Sequence, residues 1–217
     1  MASRAKLLKP ASMKALPNLL TGLRLVLAVF VFFALAAAAG DVPWLNPGAD
    51  LSGELDVAAL AALLVAAVTD FFDGWLARRW HATSVWGAIL DPIADKVLVC
   101  ATLLGLMAVG GSPPIVIPAG LILFREFAVS ALREVTAGRR VSLPVTLLAK
   151  WKTTLQLVAL GAELAVTAMA NFVLPDDPIW GEPTPLTAHA LLWLAAAVTL
   201  ITGAQYLLQA RKALAAG

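Results

Sequence analysis

From Asn18 onward the chain is a series of long apolar runs separated by short polar breaks, and the runs reach about 20 residues, the length a helix needs to cross a bilayer. They predict six helices, at about 18–40, 55–79, 85–110, 115–137, 145–172 and 185–210. The second run is nearly all Ala, Leu and Val from Ala58 through Val68, and small residues of this kind let helices approach closely. The third carries Pro92, whose missing N–H removes one helix hydrogen bond and predicts a kink. Between the first two runs, 41–54 contains Pro and Gly with Asp41 and Asp50 and reads as an exposed linker. The pattern predicts an all-α integral membrane protein: one membrane-embedded domain, 1–217, whose residues 1–17 form a basic arm.

Composition agrees. Hydrophobic residues make up 60% of the chain and charged residues 14%, against about 25% charged in a soluble domain, and the mean hydropathy is +0.85. A net charge of +2 points to no partner by itself, and no nucleic-acid partner is expected. The single Cys100 lies in an apolar run and reads as a packing residue.

Charge placement adds orientation. All 16 Lys and Arg fall in the N-terminal arm, the turn near residue 80, the stretch 125–152, the C-terminal tail, or the half of a span facing them. The alternate loops 41–54, 111–114 and 173–184 carry none, so the positive-inside rule places both termini and the turn near residue 80 in the cytoplasm. Trp75, Trp80, Trp86 and Trp151 then lie near the inner interface, and Trp44 and Trp180 near the outer one. The arm, with Arg4, Lys6, Lys9 and Lys14 among Leu7, Leu8, Met13 and Leu16, is compatible with a short juxtamembrane amphipathic helix broken at Pro10, or with a plain basic tail. A basic start followed by an apolar run also has the outline of a cleaved signal peptide, but Arg24 inside the segment and the length of the run favour a retained span.

Four carboxylates stand against this apolar background, where an unpaired charge is expensive. Asp70 and Asp73 are spaced i,i+3, and Asp91 and Asp95 i,i+4, so each pair projects from one helix face. If the two faces meet, they form an all-oxygen cluster suited to hard divalent cations, Mg2+ above all, with carboxylates enough for two. Gly74, Ala77 and Gly87 remove side-chain bulk where a phosphorylated ligand would approach, and Arg78 offers a forked phosphate donor about 12 Å along the helix from Asp70. Arg125, Arg133, Arg139, Arg140, Lys150 and Lys152 converge on the same membrane face, a patch suited to an anionic, water-soluble substrate. Glu126 and Glu134 neighbour two of these arginines, Glu163 in the fifth span lacks an obvious partner, and His81 and His189 belong to no metal spacing.

Asp70, Asp73, Gly74, Ala77, Arg78, Gly87, Asp91 and Asp95 fill every fixed position of D-x2-D-G-x2-A-R-x8-G-x3-D-x3-D, a pattern that resembles the signature of the CDP-alcohol phosphotransferase family. Pro17-Asn18-x-x-Thr21-x-x-Arg24 resembles the entry to that family's first helix, where polar groups face the nucleotide. Arg125-Glu126-x6-Arg133-Glu134 and Lys150-Trp-Lys152-Thr153-Thr154-x-Gln156 resemble segments of phosphatidylglycerophosphate synthases within it, whereas 157–217 reads as generic membrane helix.

The resemblance implies transfer of a phosphatidyl group from CDP-diacylglycerol to an alcohol, here sn-glycerol 3-phosphate, with release of CMP. It implies two divalent cations, Mg2+ or Mn2+, held by Asp70, Asp73, Asp91 and Asp95, with Asp95 also accepting the hydroxyl proton. Gly74, Ala77, Arg78, Gly87, Asn18 and Thr21 would contact the CDP-lipid, and Arg125, Arg133, Lys150 and Lys152 the acceptor phosphate. It further implies a multi-pass protein of the inner membrane, commonly a homodimer, with its site open to the cytoplasm. Phosphatidylglycerol or inositol phosphate as acceptor would also need a basic cluster. A cation-coupled transporter would instead show repeated halves and interrupted helices near the midplane, and no duplicated carboxylate motif is present.

Overall fold

The computed structural model describes residues 11–45, 47–80, 85–139, 147–170 and 185–215, with side chains at 18–45, 47–72, 87, 89–139, 148, 151–170 and 185–214. These residues form six helices: α1 (Ala11–Ala38), α2 (Ala49–Trp80), α3 (Val85–Gly110), α4 (Pro113–Gly138), α5 (Leu147–Ala170) and α6 (Pro185–Ala215). Each is long and apolar enough to cross a membrane, and the chain is a multi-pass membrane protein.

Local chemistry sets the boundaries. α1 ends where Gly40 adopts φ 81°, donating to Ala37 O at 3.0 Å while Asp41 N donates to Ala36 O at 2.9 Å, the two bonds of a glycine-terminated helix end. The turn into α4 is only two residues long. Gly111 occupies it because a Cβ would stand 2.7 Å from Met107 O, and Pro113 and Pro114 follow Ser112 at positions whose N–H groups a helix leaves unbonded.

Three boundaries differ from expectation by five residues or more, one of them the end of α6, which runs to Ala215 rather than to about residue 210. α2 begins at Ala49, so Asp50 belongs to its first turn, where a carboxylate favours the helix dipole, and the linker is 39–48 rather than 41–54. α1 begins at Ala11 and runs unbroken through Pro17, so residues 11–17 extend the first span. Residues 1–10, with Arg4, Lys6 and Lys9, lie outside the described ones. α3 continues through Pro92 as one helix.

The helices form two groups of three: α1 packs along both α2 and α3, and α6 along both α4 and α5. Contacts of α2 with α5, and fewer of α3 with α4 and α5, join the groups. The core is rich in alanine, with Ala28, Ala59, Ala66, Ala159 and Ala195 fully buried, as expected where packing rather than hydrophobicity drives helices together in lipid. Phe30, Phe33, Phe124 and Leu207 point outward, as a lipid-facing surface requires. Glu163 on α5 does have a partner: buried to 2% exposure, it meets His189 Nδ1 of α6 at 2.8 Å, which also gives that histidine a structural role.

Candidate active site

The carboxylate-bearing helices α2 and α3 scarcely touch each other; α1 lies between them. It supplies Thr21 and Arg24, one turn apart on the same face. Arg24, 1% exposed, directs Nη2 to Asp70 Oδ1 at 2.9 Å and Nη1 to Asp95 Oδ1 at 2.8 Å. Thr21 Oγ1 donates to Asp91 Oδ1 at 2.5 Å. Asp70, Asp91 and Asp95 are thus gathered around α1, and the expected meeting of two helix faces is mediated by a third helix. The side chains of Asp70 and Asp95 stay 40% and 41% exposed, so the cluster is closed on the α1 side and open on the other.

Asn18 lies half-buried one turn before Thr21. Gly87 is buried in the first turn of α3, one turn before Asp91. Asp73, Gly74, Ala77 and Arg78 continue α2 beyond Asp70, but their side chains lie outside the described residues. The donors present are carboxylate and hydroxyl oxygens, which fit a hard divalent cation and do not suit a soft one. Among the described residues, no three His, Cys, Asp or Glu side chains stand close enough to hold an ion, and Asp73 is outside that set.

Beside Asp95 opens a second feature, a cavity of ≈ 160 Å³ between α3, α4, α5 and α6. Its walls include Asp95 and Lys96 of α3, Arg125, Glu126 and Arg133 of α4, and Lys152 of α5: four cations against two carboxylates. Three of the four expected phosphate-binding cations therefore share one space with Asp95. The side chain of the fourth, Lys150, lies outside the described residues. Glu126 Oε1 receives Lys152 Nζ, Arg125 Nη1 at 3.3 Å and Gln156 Nε2 at 3.3 Å. Because Arg125 and Lys152 are 7% and 9% exposed, this shared carboxylate compensates charges that burial alone would disfavour. Arg133 reaches Tyr206 OH at 2.6 Å.

Sequence reasoning placed Arg24 only within the polar entry to the first helix, left Glu126 without a role and read 157–217, Tyr206 included, as generic membrane helix. For Arg24 a signal was available: a lone cation deep in an apolar span needs a counter-charge. For Tyr206 there was none, because its partner lies 73 residues away.

The sequence profile of the CDP-alcohol phosphatidyltransferase family matches residues 14–205. A curated protein of Cereibacter sphaeroides named CDP-diacylglycerol–glycerol-3-phosphate 3-phosphatidyltransferase is 38% identical over 231 aligned residues, covering 92% of this chain and 96% of that protein. Proteins of the same name are 42% identical in Rickettsia bellii, covering 70% of this chain and 80% of the relative, and 42% identical in Escherichia coli K12, covering 71% and 79%. A profile spanning most of the chain, together with relatives of this similarity and coverage, means that the chain belongs to the CDP-alcohol phosphatidyltransferase family.

Proposed function

We propose that this enzyme transfers the phosphatidyl group of CDP-diacylglycerol to sn-glycerol 3-phosphate, releasing CMP and forming phosphatidylglycerophosphate. The observation that carries the reading is the basic cavity with Asp95 in its wall. A phosphate monoester bound among Arg125, Arg133 and Lys152 would hold its hydroxyl end beside a carboxylate able to take the proton. The cavity's small volume and its excess of two positive charges favour a compact dianion over an alcohol of no net charge such as inositol or serine.

Members of the family generally use divalent cations. Asp70, Asp73, Asp91 and Asp95 are the residues to hold two of them, Mg2+ or Mn2+. Such ions, when bound, neutralise the diphosphate and stabilise the entering and leaving oxygens of an in-line displacement. The chain does the rest. Arg125, Arg133, Lys150 and Lys152 bind the acceptor phosphate, and Asn18, Thr21, Gly74, Ala77, Arg78 and Gly87 form the CDP-lipid side. The acceptor hydroxyl oxygen bonds to the lipid-bearing phosphorus, the bond from that phosphorus to CMP breaks with its electron pair leaving on CMP, and the hydroxyl proton passes to Asp95. Arg24, paired with the Oδ1 of Asp95, fixes the orientation of that carboxylate.

Placement follows from charge. By the positive-inside rule the basic segments support both termini and the site lying at the cytoplasmic face of the inner membrane, and the family resemblance supports a homodimer.

The test is CMP release by the purified protein given CDP-diacylglycerol and a panel of alcohols. Turnover is expected with sn-glycerol 3-phosphate and a divalent cation. Asp95→Asn should remove it by at least about a hundredfold, the scale of a general base, in a protein that still purifies as a folded membrane protein. A preference for phosphatidylglycerol or inositol phosphate, or near-normal turnover by Asp95→Asn, overturns the assignment.

A further inference from the structure

Thr199, Thr202, Gly203 and Tyr206 are spaced i, i+3, i+4 and i+7 along α6, which places them on one helix face. That face backs the basic cavity. Thr202 Oγ1 accepts a hydrogen bond from Arg125 Nη2 at 3.0 Å, and Tyr206 OH accepts one from Arg133 Nη2 at 2.6 Å. Thr199 Oγ1 accepts from Gln156 Nε2 at 2.9 Å, and the same Gln156 nitrogen contacts the Glu126 carboxylate that holds Lys152. The Tyr206 ring lies near both guanidinia, with its centroid 4.7 Å from Arg133 Cζ and 5.9 Å from Arg125 Cζ, within cation–π range. At Gly203 the backbone lets the arginine stem through, for a Cβ there would stand 2.8 Å from Arg125 Cγ and 3.3 Å from its Nε.

Thr199, Thr202 and Tyr206 are 0%, 0% and 2% exposed, so their polar groups act only on what they touch inside the protein. What they touch, directly or through Gln156 and Glu126, is three of the four cations around the cavity, Arg125, Arg133 and Lys152. We infer that this face of α6 sets the acceptor preference of the enzyme, with Tyr206 positioning Arg133 and with Thr202 and Gly203 positioning Arg125 for an alkyl phosphate monoester. The inference rests on the basic cavity being the acceptor site.

Arg133 shows why positioning matters. It sits on an exposed stretch of α4, where a long side chain samples many rotamers. The tyrosine hydroxyl and ring hold it before the substrate arrives, and the bond to Tyr206 uses one of the guanidinium's five N–H groups.

Steady-state kinetics of the purified full chain tests this, with CDP-diacylglycerol and sn-glycerol 3-phosphate each varied in turn. Tyr206→Phe keeps the ring and removes the acceptor oxygen. It should raise the KM for sn-glycerol 3-phosphate by about tenfold, the scale of a lost hydrogen bond to a charged group. The KM for CDP-diacylglycerol should stay within about twofold, the margin below which a hydrogen bond's effect cannot be claimed. Tyr206→Leu should raise the acceptor KM further, and Gly203→Ala, by displacing the Arg125 stem, should act in the same direction. An unchanged acceptor KM in Tyr206→Phe, or a parallel rise in both KM values, overturns the inference. If the unaltered protein does not turn over sn-glycerol 3-phosphate at all, it is the acceptor reading that falls.

Discussion

Arg24 carries a permanent charge into an apolar span and is tolerated there because two carboxylates from different helices meet its guanidinium fork. A lysine has no such fork: its point charge can satisfy one carboxylate well or two poorly. Arg24→Lys should therefore keep the fold and lose most of the activity, because Asp95 is no longer fixed relative to Asp70. Arg24→Met takes the guanidinium away from both carboxylates and should also lower stability by about 1–3 kcal/mol, below the cost for a fully buried pair because the aspartates are two-fifths exposed. Thermal unfolding in detergent beside CMP release checks both, and full activity in Arg24→Lys would remove the fork from the account. The pairing of the aspartates along their helices was legible because residue spacing on a helix is a local property. That Arg24 needs a counter-charge was legible too, but which carboxylates meet it, and what Glu126 does, depend on which helices become neighbours.

Among the elements, α1 has the central place: inserted between α2 and α3, it converts two carboxylate-bearing faces that scarcely touch into one cluster. It packs tightly on α3 where Leu35 lies against Gly105, and a Cβ there would stand 2.5 Å from Leu35 Cδ1 and 2.8 Å from Leu35 Cβ. Gly105→Ala should therefore destabilise the protein by about 1–3 kcal/mol, the usual cost of overfilling a packed contact. Leu35→Ala alone opens a void, since Leu35 is fully buried, but combined with Gly105→Ala it should recover part of the lost stability. Melting temperatures of the two single variants and the double variant measure that coupling, and strict additivity would show that the contact is not what limits the approach. Hydropathy located all six helices because bilayer thickness fixes their length. It misplaced the start of α2 because Asp50 and Glu54 look like loop residues to a hydropathy window, although a carboxylate in a first turn favours a helix.

At the scale of the whole molecule, the site falls on the seam between two three-helix groups. The carboxylates belong to α2 and α3, and the basic wall mostly to α4 and α5 with its backing from α6, so neither group holds the whole of the proposed site. Such a seam works only if both clusters open to the same side of the membrane. The proposal that this side is the cytoplasm rests on the positive-inside rule applied to the basic residues of the first span's arm, the turn near residue 80, 125–152 and the tail. An accessibility experiment decides this. Cys100, half-buried in α3, is the only native thiol and can be replaced by alanine. Asp41→Cys, in the exposed turn after α1, and Arg139→Cys, at the exposed end of α4, then each place one thiol at opposite ends of the bundle. In intact spheroplasts a membrane-impermeant maleimide should label the first and not the second, and permeabilising the cells should expose the second. Labelling of Arg139→Cys from outside would turn the carboxylates and the basic cavity away from the compartment that holds water-soluble phosphate esters, and the proposed reaction would lose its acceptor.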